Sequence, residues 1–358
     1  MTHPDPSAVL AYCRQGFEGE CAQELAAHDF ELGGGGYARA QPGSGFVEFV
    51  SPHADALASR WRGFVFARQA LRVLGRARAM PTQDRIGALR PLFEGDEIES
   101  DDPEYGRRRW CDVWVEAPDS DATRDLAALC RGLNAALLAS LKKAALIDRG
   151  SRWRLHVCLT SGQDAFVCAA DVARSSPWPG GIPRLKFPRE APSRSTLKLE
   201  EALLVLLDDG ERERWLKPGM RAVDLGASPG GWTWQLVRRS LQVIAVDNGP
   251  MDARLMASGL VDHLRADGFR YQPRTPVDWM VCDMVEQPAR VAARMAQWLA
   301  QGWCRYAIFN LKLPMKKRYD EVQRCLAILH DGVDGKLEVR AHQLYHDREE
   351  ITVFARAA

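Results

Sequence analysis

The chain has 358 residues, 46% of them hydrophobic and 27% charged, an ordinary balance for a soluble globular protein with room for two or three domains. Its 48 basic and 47 acidic residues leave a net charge of +1, so global charge selects no partner, and any nucleic-acid surface must be a local patch. Nine cysteines, none in a C-x-x-C pair, argue against a zinc site and against a disulfide framework. They fit small buried apolar side chains in a reducing cytosol. The first six residues have neither the basic nor the apolar stretch of a signal peptide, and no apolar run approaches the ~18 residues of a membrane-spanning helix. A cytoplasmic protein is expected.

Residues 9–13 form a short apolar run, 17–27 have helical spacing, 33–36 are a glycine turn and 45–50 alternate as a strand. Another apolar segment covers 63–74. Further on, 110–115 alternate in period two, 125–145 read as a helix, and 153–159 and 164–171 as strands paired across Ser161-Gly162-Gln163. Two small α+β modules, 1–85 and 86–172, are therefore expected. Prolines 177, 179, 183, 188 and 192, with Gly180 and Gly181, prevent a helix or central strand, so 173–192 reads as an interdomain linker. Around it, Arg174, Arg184, Lys186, Arg189, Arg194 and Lys198 face a single acid, Glu190. That strip reads either as a solvated linker or as a surface that neutralises phosphates. Trp178 and Phe187 within it can stack on unpaired bases or anchor the linker.

From residue 193 helices and strands alternate. Helices are expected at 197–207, 232–240, 289–300 and 319–329, and strands at 221–226, 242–247, 277–283, 305–311, 337–344 and 351–355. Such alternation means βαβ crossovers and a mostly parallel sheet. The segment Val223-Asp224-Leu225-Gly226-Ala227-Ser228-Pro229-Gly230-Gly231-Trp232 ends a strand in a glycine-rich turn and opens a helix, which seats a ligand at the carboxyl end of the strand. Its glycines do not meet the G-x-G-x-x-G spacing of a dinucleotide site, and no P-loop is present. The next strand ends at Asp247, where a carboxylate can accept both hydroxyls of a cofactor ribose. Asp267, where a third strand should end, either reaches an adenine amino group or makes a turn before Gly268.

Four charged residues fall at the active edge of such a sheet. Lys198 lies on the helix before the first strand, Asp283 ends the fourth, Lys312 ends the fifth, and Glu350 begins the last. If that last strand is antiparallel, its start joins the edge where the parallel strands end.

The turn from Asp224 to Trp232 resembles motif I of class I methyltransferases, where it holds the methionine part of S-adenosylmethionine. The ordered set Lys198, Asp283, Lys312 and Glu350, with Ser193-Arg194-Ser195-Thr196-Leu197-Lys198-Leu199, Asp283-Met284 and Arg348-Glu349-Glu350, resembles the FtsJ-type RNA 2′-O-methyltransferases over residues 193–358. The stretches 309–319 and 343–350 are similar to the RlmM family, bacterial 23S ribosomal RNA cytidine 2′-O-methyltransferases with an N-terminal THUMP region.

The resemblance implies an α/β fold: a Rossmann-like class I methyltransferase domain at 193–358 with a mostly parallel seven-stranded sheet, preceded by ferredoxin-like (1–85) and THUMP-like (86–172) RNA-binding modules. It implies S-adenosylmethionine contacts at Ser195, Gly226, Ser228, Pro229, Gly230, Gly231, Trp232, Asp247, Asp267 and Asp283, with Lys312 as proton acceptor. The substrate implied is one cytidine in domain V of 23S ribosomal RNA, naked or in a pre-ribosomal particle. No metal and no membrane partner are implied, and the chain is expected to act as a monomer.

The chemistry wants such a set, because a ribose hydroxyl needs a base in reach and an in-line methyl group. A lysine serves only if partly neutral. Burial, a second lysine and a sulfonium lower its proton affinity, whereas Asp283 and Glu350 raise it. Lys198 is expected to steer the hydroxyl and stabilise developing negative charge, Asp283 to orient Lys312, and Glu350 to hold the lysines. Base-amino methylation would call for an N/D-P-P-Y/F string where Asp283-Met284-Val285-Glu286 stands. Carbon-5 methylation would call for a cysteine nucleophile, but Cys282 alternates away from Asp283. Lys316-Lys317-Arg318 reads as a phosphate contact or a solvated first helical turn. Two other readings stay open: a 2′-O-methyltransferase acting on transfer RNA or a capped messenger end, and a non-catalytic RNA-binding ribosome-assembly factor.

Overall fold

The computed structural model describes residues 7–94 and 109–357, which divide into two compact units, Met1–Ile182 and Pro183–Ala358. In the first unit the elements are β1 (Ala8–Tyr12), α1 (Glu18–Glu31), β2 (Tyr37–Ala40), β3 (Phe46–Val50), α2 (Ala54–Ala58), β4 (Gln69–Ala77), α3 (Arg85–Leu89), α4 (Pro91–Glu94), β5 (Asp112–Glu116), α5 (Ala127–Lys143), β6 (Trp153–Leu159) and β7 (Ala165–Asp171).

The strands of this unit make one continuous sheet in the order β2-β3-β1-β4-β7-β6-β5. Its first four strands, with β1 antiparallel to both β3 and β4, have the split βαβ layout of a ferredoxin-like module. The rest is a β5-α5-β6 parallel crossover followed by the β6–β7 hairpin. Antiparallel pairing of β4 with β7 fuses the two halves, so one apolar cluster draws Leu10 and Leu71 from the first and Phe166 and Ala170 from the second. Buried Glu24 on α1 accepts the backbone N–H groups of Val65, Phe66 and Ala67 at 2.5, 2.9 and 3.3 Å, which satisfies the turn entering β4.

The proline-rich stretch expected as a linker divides between the units. Gln69 brackets Ser176, accepting from its N–H at 3.1 Å and donating to its carbonyl at 3.3 Å. Glu116 accepts from Gly180 N–H at 2.7 Å, and Gly181 lies where a Cβ would collide with the Arg68 backbone. The stretch as far as Ile182 is thus built into the first unit.

In the second unit follow α6 (Thr196–Leu206), α7 (Asp209–Trp215), β8 (Arg221–Leu225), α8 (Gly231–Val237), β9 (Gln242–Val246), α9 (Ala253–Met256), β10 (Val261–Leu264), β11 (Val277–Cys282), α10 (Pro288–Ala300), β12 (Cys304–Lys312), α11 (Arg318–Asp331), β13 (Leu337–His342) and β14 (Glu350–Ala357). The sheet order is β10-β9-β8-β11-β12-β14-β13. The first five strands are parallel, and β14 runs antiparallel to both its neighbours. The order reverses between β8 and β11, the switch point where ligands of open α/β sheets sit. Helix α7, absent from the periodicity reading, carries a capping box between Asp208 and Glu211.

Strand alternation decides which side chains meet. Ala222, Val243, Trp279, Val281, Tyr306, Ile308 and Phe354 share one apolar cluster with Leu199, Ala202 and Leu203 of α6 and Leu236 of α8. Trp215 stacks on Tyr306 and Phe354 at ring separations of 5.0 and 5.9 Å within it. Two residues further along each strand, the same face changes from apolar to polar: Asp224 after Ala222, Asp283 after Val281, Asn310 and Lys312 after Ile308, Thr352 and Glu350 before Phe354.

Candidate active site

The polar rim begins at the turn after β8. Gly226 has φ +78° and Gly230, the residue before α8, φ +115°, conformations that suit glycine. A Cβ on Gly226 would lie 2.7 Å from Met284 Cγ, and one on Gly231 would collide with the Ser195 and Ser193 hydroxyls. The turn is therefore a backbone-lined cradle that only glycines leave open. It is stapled to the loop after β9: Asp247 Oδ2 accepts from Ser228 N–H at 3.0 Å, Asp247 Oδ1 from Gly249 N–H at 2.7 Å, and Ser228 Oγ donates to Pro250 O at 2.8 Å.

Behind the turn, buried Asp224 accepts from Thr233 Oγ1 at 2.6 Å. Burial, with Asp283 and Asp247 adding to it against the Thr233 hydrogen bond, pushes its carboxyl up to about 7.

Sequence-predicted ligands divide here. Ser195, Gly226, Ser228, Pro229, Gly230, Gly231 and Asp247 gather around this cradle through the contacts above. Trp232 does not: its ring is buried in the core with Leu199 and Leu203, because the first turn of α8 faces that core, so only its backbone remains near the loop. Asp267 makes the turn its neighbouring glycine suggests. Its Oδ1 accepts from Phe269 N–H at 2.9 Å, and its carbonyl accepts from Arg270 and Tyr271 N–H, both at 3.0 Å. Its half-exposed carboxylate also lies 3.6 Å from Arg270 Nε.

Lys198, Asp283, Lys312 and Glu350 form a closed ring of ion pairs. Lys198 Nζ lies 3.3 Å from Asp283 Oδ2 and also contacts Glu350 Oε1. Lys312 Nζ lies 2.9 Å from Asp283 Oδ1 and contacts Glu350 Oε2. Register explains the meeting, since Lys312 and Glu350 are direct cross-strand partners in the antiparallel β12–β14 pair. The side chains are 18% (Lys198), 16% (Asp283), 26% (Lys312) and 5% (Glu350) exposed, so the ring is sheltered yet open on the lysine side.

The balance of forces on Lys312 differs from the requirement for a neutral amine. Burial opposes its charge, but Asp283 and Glu350, by attraction and hydrogen bonding, outweigh burial and hold the ammonium well above the ordinary lysine range. In this arrangement Lys312 is a cation.

Sequence reasoning missed the groups beneath the ring. Asn310 donates to Asp283 Oδ1 at 2.9 Å, and Thr352 Oγ1 lies 2.7 Å from Asn310 Oδ1. Glu201, one turn after Lys198 on α6, accepts from the backbone N–H groups of Tyr345 and His346 at 2.8 and 2.9 Å and from His346 Nδ1 at 2.6 Å, tying the loop before β14 to α6. Same-face spacing was the available signal: Asn310 is two residues before Lys312, Thr352 two after Glu350. Cys282 is fully buried at a strand position alternate to Asp283, and burial pushes its thiol up to about 12, against any nucleophilic role.

At the rim, Met315 is 94% and Val285 88% exposed, beside exposed Lys316 and Lys317. Arg318 is committed to Glu349 at 3.0 Å. Phe187 is partly exposed, with the Arg194 guanidinium 5.9 Å from its ring centre. Among the described residues no helix is long and apolar enough to cross a membrane.

Three family models match in chain order: the RlmM ferredoxin-like domain at residues 7–71, the N-terminal region of ribosomal RNA large subunit methyltransferase M at 98–171, and the FtsJ-like methyltransferase at 191–312. Ribosomal RNA large subunit methyltransferase M of Xanthomonas campestris pv. campestris is 53% identical over 98% of this chain and 99% of its own. The Xanthomonas oryzae pv. oryzae protein of that name has the same identity and coverage, and that of Xanthomonas euvesicatoria pv. vesicatoria is 52% identical. Among solved structures, TrmN from Thermus thermophilus aligns over 98% of this chain and 100% of its own, at 17% identity and a TM-score of 0.36. Full-length identity above one half, with all three models in order, makes this chain a member of the ribosomal RNA large subunit methyltransferase M family.

Proposed function

We propose that the protein transfers a methyl group from S-adenosylmethionine to the 2′-hydroxyl of a single cytidine in domain V of 23S ribosomal RNA, with Lys312 as proton acceptor. The observation that carries the reading is the closed Lys198–Asp283–Lys312–Glu350 ring at the carboxyl edge of the sheet, next to the glycine cradle. The relatives' name supports ribosomal RNA as the substrate class. Ribosomal RNA as substrate would place the enzyme in the cytoplasm.

The residues present suit the cofactor. A cradle without Cβ atoms admits a close backbone approach, Asp247 retains lone pairs for ribose hydroxyls beyond its two backbone donors, and Asp283 can accept from an ammonium. S-adenosylmethionine supplies a methyl group on a sulfonium. The chain's own residues do the rest. Asp283 and Glu350 hold both lysines at one place. Lys198 donates to the ribose oxygen as negative charge develops there. Lys312 loses proton affinity when a further cation sits beside it, and again when RNA displaces one of its carboxylate partners. It then removes the hydroxyl proton.

The test is methyl transfer from labelled S-adenosylmethionine to 23S RNA lacking the modification, comparing the unaltered protein with Lys312→Ala. Transfer by the unaltered protein alone, mapping to one 2′-O-methylcytidine, with cofactor binding kept in the variant, is expected. Transfer by both would remove Lys312 from its role. Transfer only to a pre-ribosomal particle, to transfer RNA or to capped messenger would reassign the substrate.

A further inference from the structure

Directly beneath the Lys312–Glu350 pair lies a second cross-strand pair, Asn310 opposite Thr352, both fully buried. Asn310 Nδ2 donates to Asp283 Oδ1 at 2.9 Å. Thr352 Oγ1 lies 2.7 Å from Asn310 Oδ1 and 2.9 Å from Asp347 Oδ2. The Leu344 N–H also reaches that Asp347 oxygen, at 3.2 Å.

A hydroxyl carries one proton, so Thr352 can donate to only one of these two oxygens. The other contact must be a donation to Thr352, and the Asn310 oxygen has no proton to give. Turning the amide over would set its oxygen against the Asp283 carboxylate. One assignment leaves every contact attractive: a protonated Asp347 donates to Thr352, Thr352 to Asn310, and Asn310 to Asp283.

The surroundings agree with a neutral acid at Asp347. It is fully buried, and it faces Glu201 on α6 and Glu350 on β14. Burial first, then these two carboxylates, push its carboxyl well above the usual range, against the weaker opposing effects of Lys198 and the Thr352 hydroxyl. His346, next to it in sequence, is turned to Glu201.

We propose that Asp347, Thr352 and Asn310 form a positioning relay that fixes the Asp283 carboxylate and, through it, the two lysines. Asp283 Oδ1 then accepts from Asn310 and Lys312 together while Oδ2 faces Lys198, so three donors set the plane of the carboxylate. Without the Asn310 donor that plane is free to turn toward either lysine. The uncharged chain anchors Asp283 from below without adding net charge to the ring. The catalytic part of the proposal rests on the reading of Lys312 as proton acceptor; the proton on Asp347 does not.

The experiment uses the full chain. Single-turnover methyl transfer to unmodified 23S RNA is measured beside S-adenosylmethionine binding, and infrared difference spectra are recorded on the protein without RNA. Thr352→Val lowers the transfer rate about thirtyfold, and lowers it more than it weakens cofactor binding, which Asp283 also serves, the pattern of a misplaced catalytic group. Thr352→Ser rescues the rate. Asp347→Ala is slow like Thr352→Val. A buried protonated-carboxyl band disappears in Asp347→Asn. A rate near the unaltered value in Thr352→Val or in Asp347→Ala, or a spectrum unchanged in Asp347→Asn, would each overturn the relay. If Thr352→Val or Asp347→Ala does not fold, the Thr352→Ala rate and the Asp347→Asn spectrum decide. If the unaltered protein methylates no RNA, the functional reading fails while the infrared band still tests the proton on Asp347.

Discussion

Replacing Glu350 with Gln keeps the shape of the side chain and removes one of the two charges that hold Lys312 protonated. At about 4 Å and an effective dielectric of about 20, one such pair is worth about 4 kcal/mol. The Lys312 side chain is 26% exposed, so water replaces part of that attraction. Taking about half, roughly 2 kcal/mol is lost, which corresponds to about a thirtyfold fall in the proton affinity of Lys312. The sign follows from the ring: without the Glu350 charge, two lysines face Asp283 alone, and the residual positive field favours the neutral amine. The single-turnover rate should therefore rise with pH in both proteins, and the rising limb should move to lower pH in Glu350→Gln. The plateau should fall, because Glu350 also holds Lys198 in place. The position of the limb and the height of the plateau are separate readouts, so a geometric defect cannot imitate the charge effect. A limb that stays put or moves to higher pH would mean that Lys312 is not the group whose proton limits the reaction.

Asp224 is held up to about 7 by burial and by Asp283 and Asp247. Between the ordinary aspartate range near 4 and about 7 the folded chain binds the extra proton, so stability falls as pH rises through that window, by up to roughly 4 kcal/mol. Asp224→Asn can still accept from Thr233 and should unfold at higher denaturant than the unaltered protein at pH 8, with little difference near pH 4; an advantage independent of pH would refute the linkage. Exposed Lys316 and Lys317 should each contribute a phosphate contact, so Lys316→Ala with Lys317→Ala weakens binding to all RNA sequences and reduces the salt-dependence slope by about one per lysine. An unchanged slope would return both to solvent.

The catalytic half was legible because its information is local. A parallel sheet with short strands puts functional groups at strand ends, and the alternation that buries Trp279 and Val281, or Tyr306 and Ile308, continues without a break into Asp283 and into Asn310 and Lys312. Reading that alternation one step further back would have found Asn310 and Thr352, but inside a strand a lone polar residue gives no sign of its partner until register is known. Register came from the β12–β14 pairing, which sets Lys312 against Glu350 and Asn310 against Thr352. Trp232 shows the complementary case. Its place in the glycine motif is fixed by sequence, while the direction of its ring is fixed by the rotation of α8, which turns it into the core.

The first unit was legible in its pieces and not in its joining. Strand β5 alternates and β1 and β7 are short apolar runs, but no local pattern announces that β4 and β7 pair, a contact between residues nearly a hundred positions apart. Distance along the chain also hides the two side chains that dock the proline-rich stretch, Gln69 on Ser176 and Glu116 on Gly180. Prolines and glycines mark where a chain cannot be regular. They do not say that it is free, and here buried amide and carboxylate groups from distant strands supply the hydrogen bonds that regular structure would otherwise have given it.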